Sequence, residues 1–219
     1  DWRSSVAREV AAAARRIGVE TDDIALADAW RAEYAPSMNR VRTGELPWTT
    51  IDVLHRAALD ALLPRFRLEA LDEVARADLN RAWHRLDPWP DSVAGLRRLS
   101  HRYTLATLSN GNVALLANMA KRARLPWDMI LSAELFGHYK PDKEAYDGAC
   151  RLLDLEPGQV MMVAAHNRDL RAASARGLRT AFVARPTEYG PAQTKDLAAD
   201  GAWDVVCASF TELADALGC

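Results

Sequence analysis

Between residues 4 and 85 apolar positions recur at helical spacing, and nothing there reads as a buried strand. The run Ser4 to Ile17, rich in Ala and Arg, predicts a helix with Ser4 or Ser5 as its N-cap and Gly18 closing it. A second helix is expected from Asp23 to about Ala35, stopped by Pro36, and further helical patterns run from Thr49 to Leu63 and from Leu68 to Trp83. The pattern changes at Asp87-Pro88-Trp89-Pro90-Asp91, a turn-rich boundary. Beyond it, short apolar runs alternate with helical ones. Strands are expected at Thr104 to Leu108, near Met129 to Ser132, at Val160 to Val163 and at Arg179 to Val183. Helices are expected at Ser92 to Ser100, up to Ala123, at Lys143 to Leu153 and at Leu170 to Arg176. Such alternation predicts an α/β fold with right-handed crossovers and a parallel sheet whose carboxyl-end loops carry the ligand.

The 219 residues suffice for one large domain or two smaller ones, and 49% hydrophobic with 26% charged residues is the composition of a globular protein. With 28 Lys and Arg against 30 Asp and Glu, the net charge of -2 gives no case for nucleic acid or an anionic membrane surface. Arginines interleave with acids, as in Arg76-Ala77-Asp78, which is the pattern of solvated helix faces. Cys150, Cys207 and Cys219 are odd in number and far apart, with neither metal-ligand nor disulfide spacing, so the expected setting is the reducing cytoplasm. No signal peptide opens the sequence and no apolar stretch reaches the length of a membrane span.

Chemistry is concentrated in the loops after the expected strands. Ser109 and Asn110 offer a hydroxyl, an amide and backbone N–H groups to an anion; Lys140 precedes a proline at the same edge; Asp169 opens a helix after Val163-Ala164-Ala165-His166-Asn167-Arg168. Taken singly, Ser109 is an N-cap, Asn110-Gly111 a turn, Lys140 a surface cation and Asp169 an acid answering a helix dipole. Their joint occurrence at successive strand ends is what points to a site. A Mg²⁺ site in the last loop needs two converging carboxylates, and Ala165 stands four residues before Asp169 where the second would be. That loop therefore argues for chemistry without a metal.

The segments Leu108-Ser109-Asn110-Gly111, Tyr139-Lys140-Pro141-Asp142 followed by Tyr146, and Ala164-Ala165-His166-Asn167-Arg168-Asp169 resemble the haloacid dehalogenase superfamily, and within it the type II 2-haloacid dehalogenases. Ala29-Trp30-Arg31 resembles the arginine-bearing segment of that family's cap. The resemblance implies a Rossmann-like α/β core over 88–219 and an inserted helical cap over 4–87. It implies hydrolytic dehalogenation of short 2-haloacids to 2-hydroxy acids through an aspartyl ester, with no cofactor. Arg31 would assist departure of the halide, Lys140 would keep the nucleophile ionised, Asp169 would fix Lys140, and His166 would order the hydrolytic water. Ser109, Asn110, Tyr146 and Asn167 would contact the substrate. The implied partners are the haloacid and halide ion, with a homodimer as the assembly.

Two departures accompany the resemblance. The family's nucleophilic Asp, in a motif Asp-x-Phe/Tyr-Gly-Thr at the end of the first core strand, has no counterpart here; Asp1-Trp2-Arg3 resembles the segment that follows it, so that strand is expected upstream of Asp1. Arg168 brings a charge where relatives often carry an aromatic residue, which leaves halide and acid preference open, a carbon–fluorine bond included. Two other readings are carried: a Mg²⁺-dependent phosphatase of the same fold, against which Ala165 stands, and a non-catalytic binding module that lacks its nucleophile.

Overall fold

A computed structural model describes all residues, 1–219. The chain begins with helices: α1 (Trp2–Arg16), α2 (Asp23–Ala32), α3 (Tyr34–Arg42), α4 (Ile51–Leu62) and α5 (Glu73–Asn80), with tight turns at Leu63–Phe66 and Arg81–Arg85. Asp1, not Ser4 or Ser5, caps α1 by accepting from the Ser4 N–H at 3.2 Å. Ser5 is instead fully buried and accepts from the Asp87 N–H at 2.8 Å, tying the first helix to the boundary segment. Pro36 does not stop a helix either. The break falls at Glu33, and Pro36 lies in the first turn of α3, where the missing N–H and fixed φ cost nothing.

The helices pack around Leu26, Trp30, Leu59, Leu63 and Leu79, all buried. Burying each of these side chains contributes on the order of 2 kcal/mol. Trp83 sits at the hub, 4.4 Å from the His55 ring, 5.4 Å from Trp30 and 6.3 Å from Trp2 between centroids. The same cluster takes in Leu115, Leu116 and Tyr139 from beyond the boundary, so the helical layer and the α/β layer share one core. A polar bridge reinforces the junction. Asp52 of α4 meets His84 Nε2 at 3.0 Å and accepts from Asn112 Nδ2 at 2.9 Å, while His84 Nδ1 meets Asn118 Nδ2 at 2.9 Å.

After the boundary come α6 (Ser92–Leu99), β1 (Ala106–Ser109), α7 (Val113–Ala123), β2 (Met129–Ser132), α8 (Lys143–Leu153), β3 (Met161–Ala164), α9 (Asn167–Ser174), β4 (Arg179–Val183), β5 (Val205–Cys207) and α10 (Phe210–Ala216). The last strand and helix go beyond the sequence expectation. Every pairing is parallel, as expected: Ala106 to Ser109 align with Met129 to Ser132, Met161 to Ala164 with Arg179 to Phe182, and Ala181 to Val183 with Val205 to Cys207. The sheet is nevertheless in two pieces, β1-β2 and β3-β4-β5. Between β1 and β3 runs an apolar slot of about 350 Å³, lined among others by Leu99, Leu108, Leu131, Met161, Val163 and Phe210. Beside that slot α6 and α10 touch backbone to backbone. A Cβ on Gly95 would meet the Phe210 carbonyl carbon at 2.4 Å, so only glycine permits that crossing.

Candidate active site

The carboxyl ends of β1 and β3 face a common cleft, and each delivers polar side chains into it as the strand gives way to a loop. At the end of β1, Ser109 Oγ accepts from the Gly111 N–H at 3.0 Å, which leaves its own proton free. Asn110 turns toward the chain segment after β2: its Oδ1 accepts from the Lys140 N–H at 2.7 Å. That bond fixes the backbone of Lys140, whose link to Pro141 is cis. The Asn110 amide nitrogen is spent only on a long 3.4 Å contact to Lys140 O.

Lys140 is aimed at Asp169, with Nζ 2.5 Å from Oδ2. The second oxygen of Asp169 accepts from the Tyr146 hydroxyl at 2.6 Å. Both members of the ion pair are largely enclosed, their side chains 14% and 15% exposed. Tyr146 is fully buried, and burial together with the Asp169 charge holds its phenol above the ordinary tyrosine value, so it remains a donor. Tyr146 thus fixes Asp169. Ala165 presents only a methyl group, and Lys140 supplies the positive charge beside Asp169. Nowhere do three or more His, Cys, Asp or Glu side chains converge at metal-binding distances.

Arg31 comes from the last turn of α2. Its guanidinium lies 4.5 Å from the centroid of Tyr34, 5.5 Å from Tyr189 and 5.7 Å from Trp2, and Nη2 donates to Tyr189 Oη at 3.1 Å. Burial pushes the Tyr189 phenol up to about 12, so it stays neutral. Arg31 makes no ion pair with any carboxylate, unlike Arg3 beside it, which is matched to both oxygens of Asp28. A cavity of about 290 Å³ opens against Trp2, Asp28, Arg31, Tyr189 and Lys195, with Asp28 already paired to Arg3. A cation held by aromatic faces and left without a counter-charge is ready to receive an anion.

His166, at the N-cap of α9, places Nε2 at 2.9 Å from Glu188 Oε2 in the loop after β4. Glu188 raises the imidazole pKa above its ordinary value, against the opposing effects of burial and Arg31. Asn167 differs from expectation. It is buried and spends its whole side chain on the loop that follows: Nδ2 donates to Asp196 Oδ1 at 3.1 Å and Ala198 O at 2.9 Å, while Oδ1 accepts from the Asp200 N–H at 3.1 Å and Trp203 Nε1 at 2.9 Å. The amide is a staple, turned away from the cleft. Arg168 is exposed.

The structure therefore brings together Ser109, Asn110, Lys140, Asp169, Tyr146, Arg31 and His166, and leaves Asn167 outside. Sequence reasoning missed Tyr34, Glu188 and Tyr189. Tyr34 had a detectable signal, lying three residues after Arg31 and so on the same side of the chain; Glu188 and Tyr189 had none, because a loop without periodicity delivers them.

Comparison with known proteins gives a consistent picture. Residues 2–177 match the haloacid dehalogenase-like hydrolase family. The (S)-2-haloacid dehalogenase 1 of Pseudomonas sp. (strain CBS-3) is 34% identical over 176 residues, 72% of this chain and 75% of the relative. Among solved structures, the L-2-haloacid dehalogenase PA0810 is 52% identical with a TM-score of 0.93, covering 99% of this chain and 93% of that one. The defluorinating L-2-haloacid dehalogenase Rha0230 is 46% identical with a TM-score of 0.97, covering 100% of this chain and 90% of that one.

Proposed function

The chain belongs to the haloacid dehalogenase-like hydrolases, and from that premise we propose how it acts. It is an L-2-haloacid dehalogenase, a hydrolase that breaks the carbon–halogen bond of short 2-haloacids and yields 2-hydroxy acids. Likeness to a defluorinating relative at 46% identity supports fluoroacetate among its substrates. No helix is long and apolar enough to cross a membrane. The assembly we favour is a homodimer in the cytoplasm, the compartment being supported by three cysteines that are all unpaired.

The observation that carries the reading is the Lys140–Asp169–Tyr146 arrangement, with an alanine, Ala165, four residues before Asp169. An ammonium pinned beside the carboxyl ends of β1 and β3 keeps an attacking carboxylate charged without a dication. Asp169 is committed to Lys140 and Tyr146, and Glu188 to His166, so neither is the attacking group. The attacking carboxylate is expected beside the Lys140 ammonium, at the carboxyl ends of β1 and β3. Its oxygen displaces halide from the carbon next to the substrate carboxylate, and an ester forms. Ester formation divides one hard displacement by water into two easier steps. Ser109 and the Asn110 amide hold the substrate's carboxylate, while Arg31 meets the departing halide as its charge grows.

The test is halide release from (S)- and (R)-2-chloropropionate and from fluoroacetate, with and without EDTA. Turnover of the (S) substrate with equal rates in both buffers is the expected result. Failure to release halide, together with Mg²⁺-dependent hydrolysis of a phosphate monoester, would replace this reading with the phosphatase one.

A further inference from the structure

The ester must be opened by water, and the geometry points to Glu188 as the positioning residue that makes His166 the base for that step; this rests on the dehalogenase reading above. Glu188 is the more enclosed partner, its side chain 13% exposed against 38% for His166. The contact is between Glu188 Oε2 and His166 Nε2 at 2.9 Å. A carboxylate can only accept, so the ring proton sits on Nε2 and the lone pair is left on Nδ1. Nδ1 has no partner in the protein, and the ring's exposure lets a water reach it. The imidazole stands at the N-cap of the helix whose first turn holds Asp169, and so on the loop that borders the ion pair with Lys140.

The step balances without a further reactant. Water's oxygen bonds to the ester carbonyl carbon as one of its protons moves to Nδ1. The acyl carbon–oxygen bond then breaks, and the departing alkoxide recovers that proton from the imidazolium to leave as the 2-hydroxy acid. The second proton of the water stays on the regenerated carboxyl group, which ionises. Glu188 stabilises the imidazolium that exists between the two transfers.

Three charged groups act on His166, from two parts of the chain. Glu188 and Asp196, both in the segment between β4 and β5, favour the protonated ring; Arg31, from the cap, opposes it, as does burial. Their balance lies with protonation, so the neutral base is available only above the ordinary histidine value. Ester hydrolysis is therefore expected to rise with pH along an acid limb displaced upward. In Glu188→Gln the carboxylate is gone while Arg31 and burial remain, so the limb moves to lower pH and its plateau falls.

Rapid-quench measurements of the first turnover with (S)-2-chloropropionate separate the steps: halide release and the mass of the alkylated enzyme report ester formation, and decay of that mass reports hydrolysis. Glu188→Gln is expected to form ester at the parental rate and to hydrolyse it roughly a hundredfold more slowly, with the acid limb shifted down. His166→Ala should lose the limb altogether. Glu188→Asp, which keeps the charge, should keep the limb near its parental position and recover part of the rate. Hydrolysis by Glu188→Gln at the parental rate with an unmoved limb overturns the inference, as does a parental enzyme that shows no acid limb. A parental enzyme that releases halide without passing through an ester also overturns it, and in that case the dehalogenase mechanism proposed above fails first.

Discussion

Arg31 Nη2 and Tyr189 Oη are 3.1 Å apart, joining the last turn of α2 to the loop after β4, and the residue before Tyr189 is the one that holds His166. Two neighbours on one loop thus hold one residue from each side of the cleft. Arg31→Lys keeps a charge but loses the planar fork that meets three rings and a phenol oxygen at once. Halide-release kinetics on Arg31→Lys should show turnover reduced by at least about tenfold, or ~1.4 kcal/mol in the barrier, with Arg31→Ala lower still. Variants within twofold of the parent would remove Arg31 from the mechanism. Tyr189→Phe keeps the ring and loses only the hydrogen bond, so its defect should be the smaller.

Lys140→Ala deletes the ammonium and strands Asp169 with only Tyr146 as a partner. Most activity should disappear while circular dichroism shows the helices and sheet intact. A variant with parental turnover would be incompatible with the assigned role.

Asn167 gives the opposite expectation despite lying between His166 and Asp169. Asn167→Ala leaves Trp203 Nε1, the Asp200 N–H and Ala198 O without their partners. Denaturant unfolding should reveal a loss of about 3 kcal/mol. KM of the fraction that remains folded should match the parent, whereas a selective rise in KM with unchanged stability would return Asn167 to the substrate.

His55 sets an acid limit on stability. Its ring is buried against Trp83 with neither nitrogen hydrogen-bonded, and burial lowers its pKa to about 3. The unfolded chain protonates the same side chain near 6.5. Between these values the unfolded state binds one proton more, so this group makes stability fall as pH falls, by up to roughly 1.4 kcal/mol per unit. His55→Phe keeps a stacked ring and removes that dependence. Going from pH 7 to pH 5, the parent should lose about 2 kcal/mol more than the variant in urea titrations. Parallel curves would show that the ring is already protonated in the fold.

The alternation of helical and apolar runs carried the α/β reading, since strands such as Met129–Ser132 and Arg179–Val183 are mostly apolar or β-branched, with polar residues only at an end, and are bounded by turns. Val205–Cys207 escaped because three residues are too few for a pattern, and its middle residue, Val206, points outward. Pro36 misled because a proline reads as a stop unless the start of the next helix is known. In the site, Lys140 and Asp169 were legible from their positions after apolar strands. Glu188 was not, because its partner is chosen by how a loop returns across the sheet, and the same holds for every bond made by Asn167.

Arg31 has consequences for the enzyme at rest. Its charge lies among Trp2, Tyr34 and Tyr189, and no acid of the chain forms an ion pair with it; Asp28, on the same cavity, is held by Arg3. A full positive charge in such a recess draws its counterion from the medium. Chloride, acetate or formate in a buffer therefore occupies the place meant for the substrate and slows turnover in proportion to its concentration. The reaction manufactures competitors of the same kind, since each cycle releases a halide and a hydroxy acid that both suit the vacated guanidinium. Progress curves should bend before the haloacid is exhausted, and dilution should straighten them.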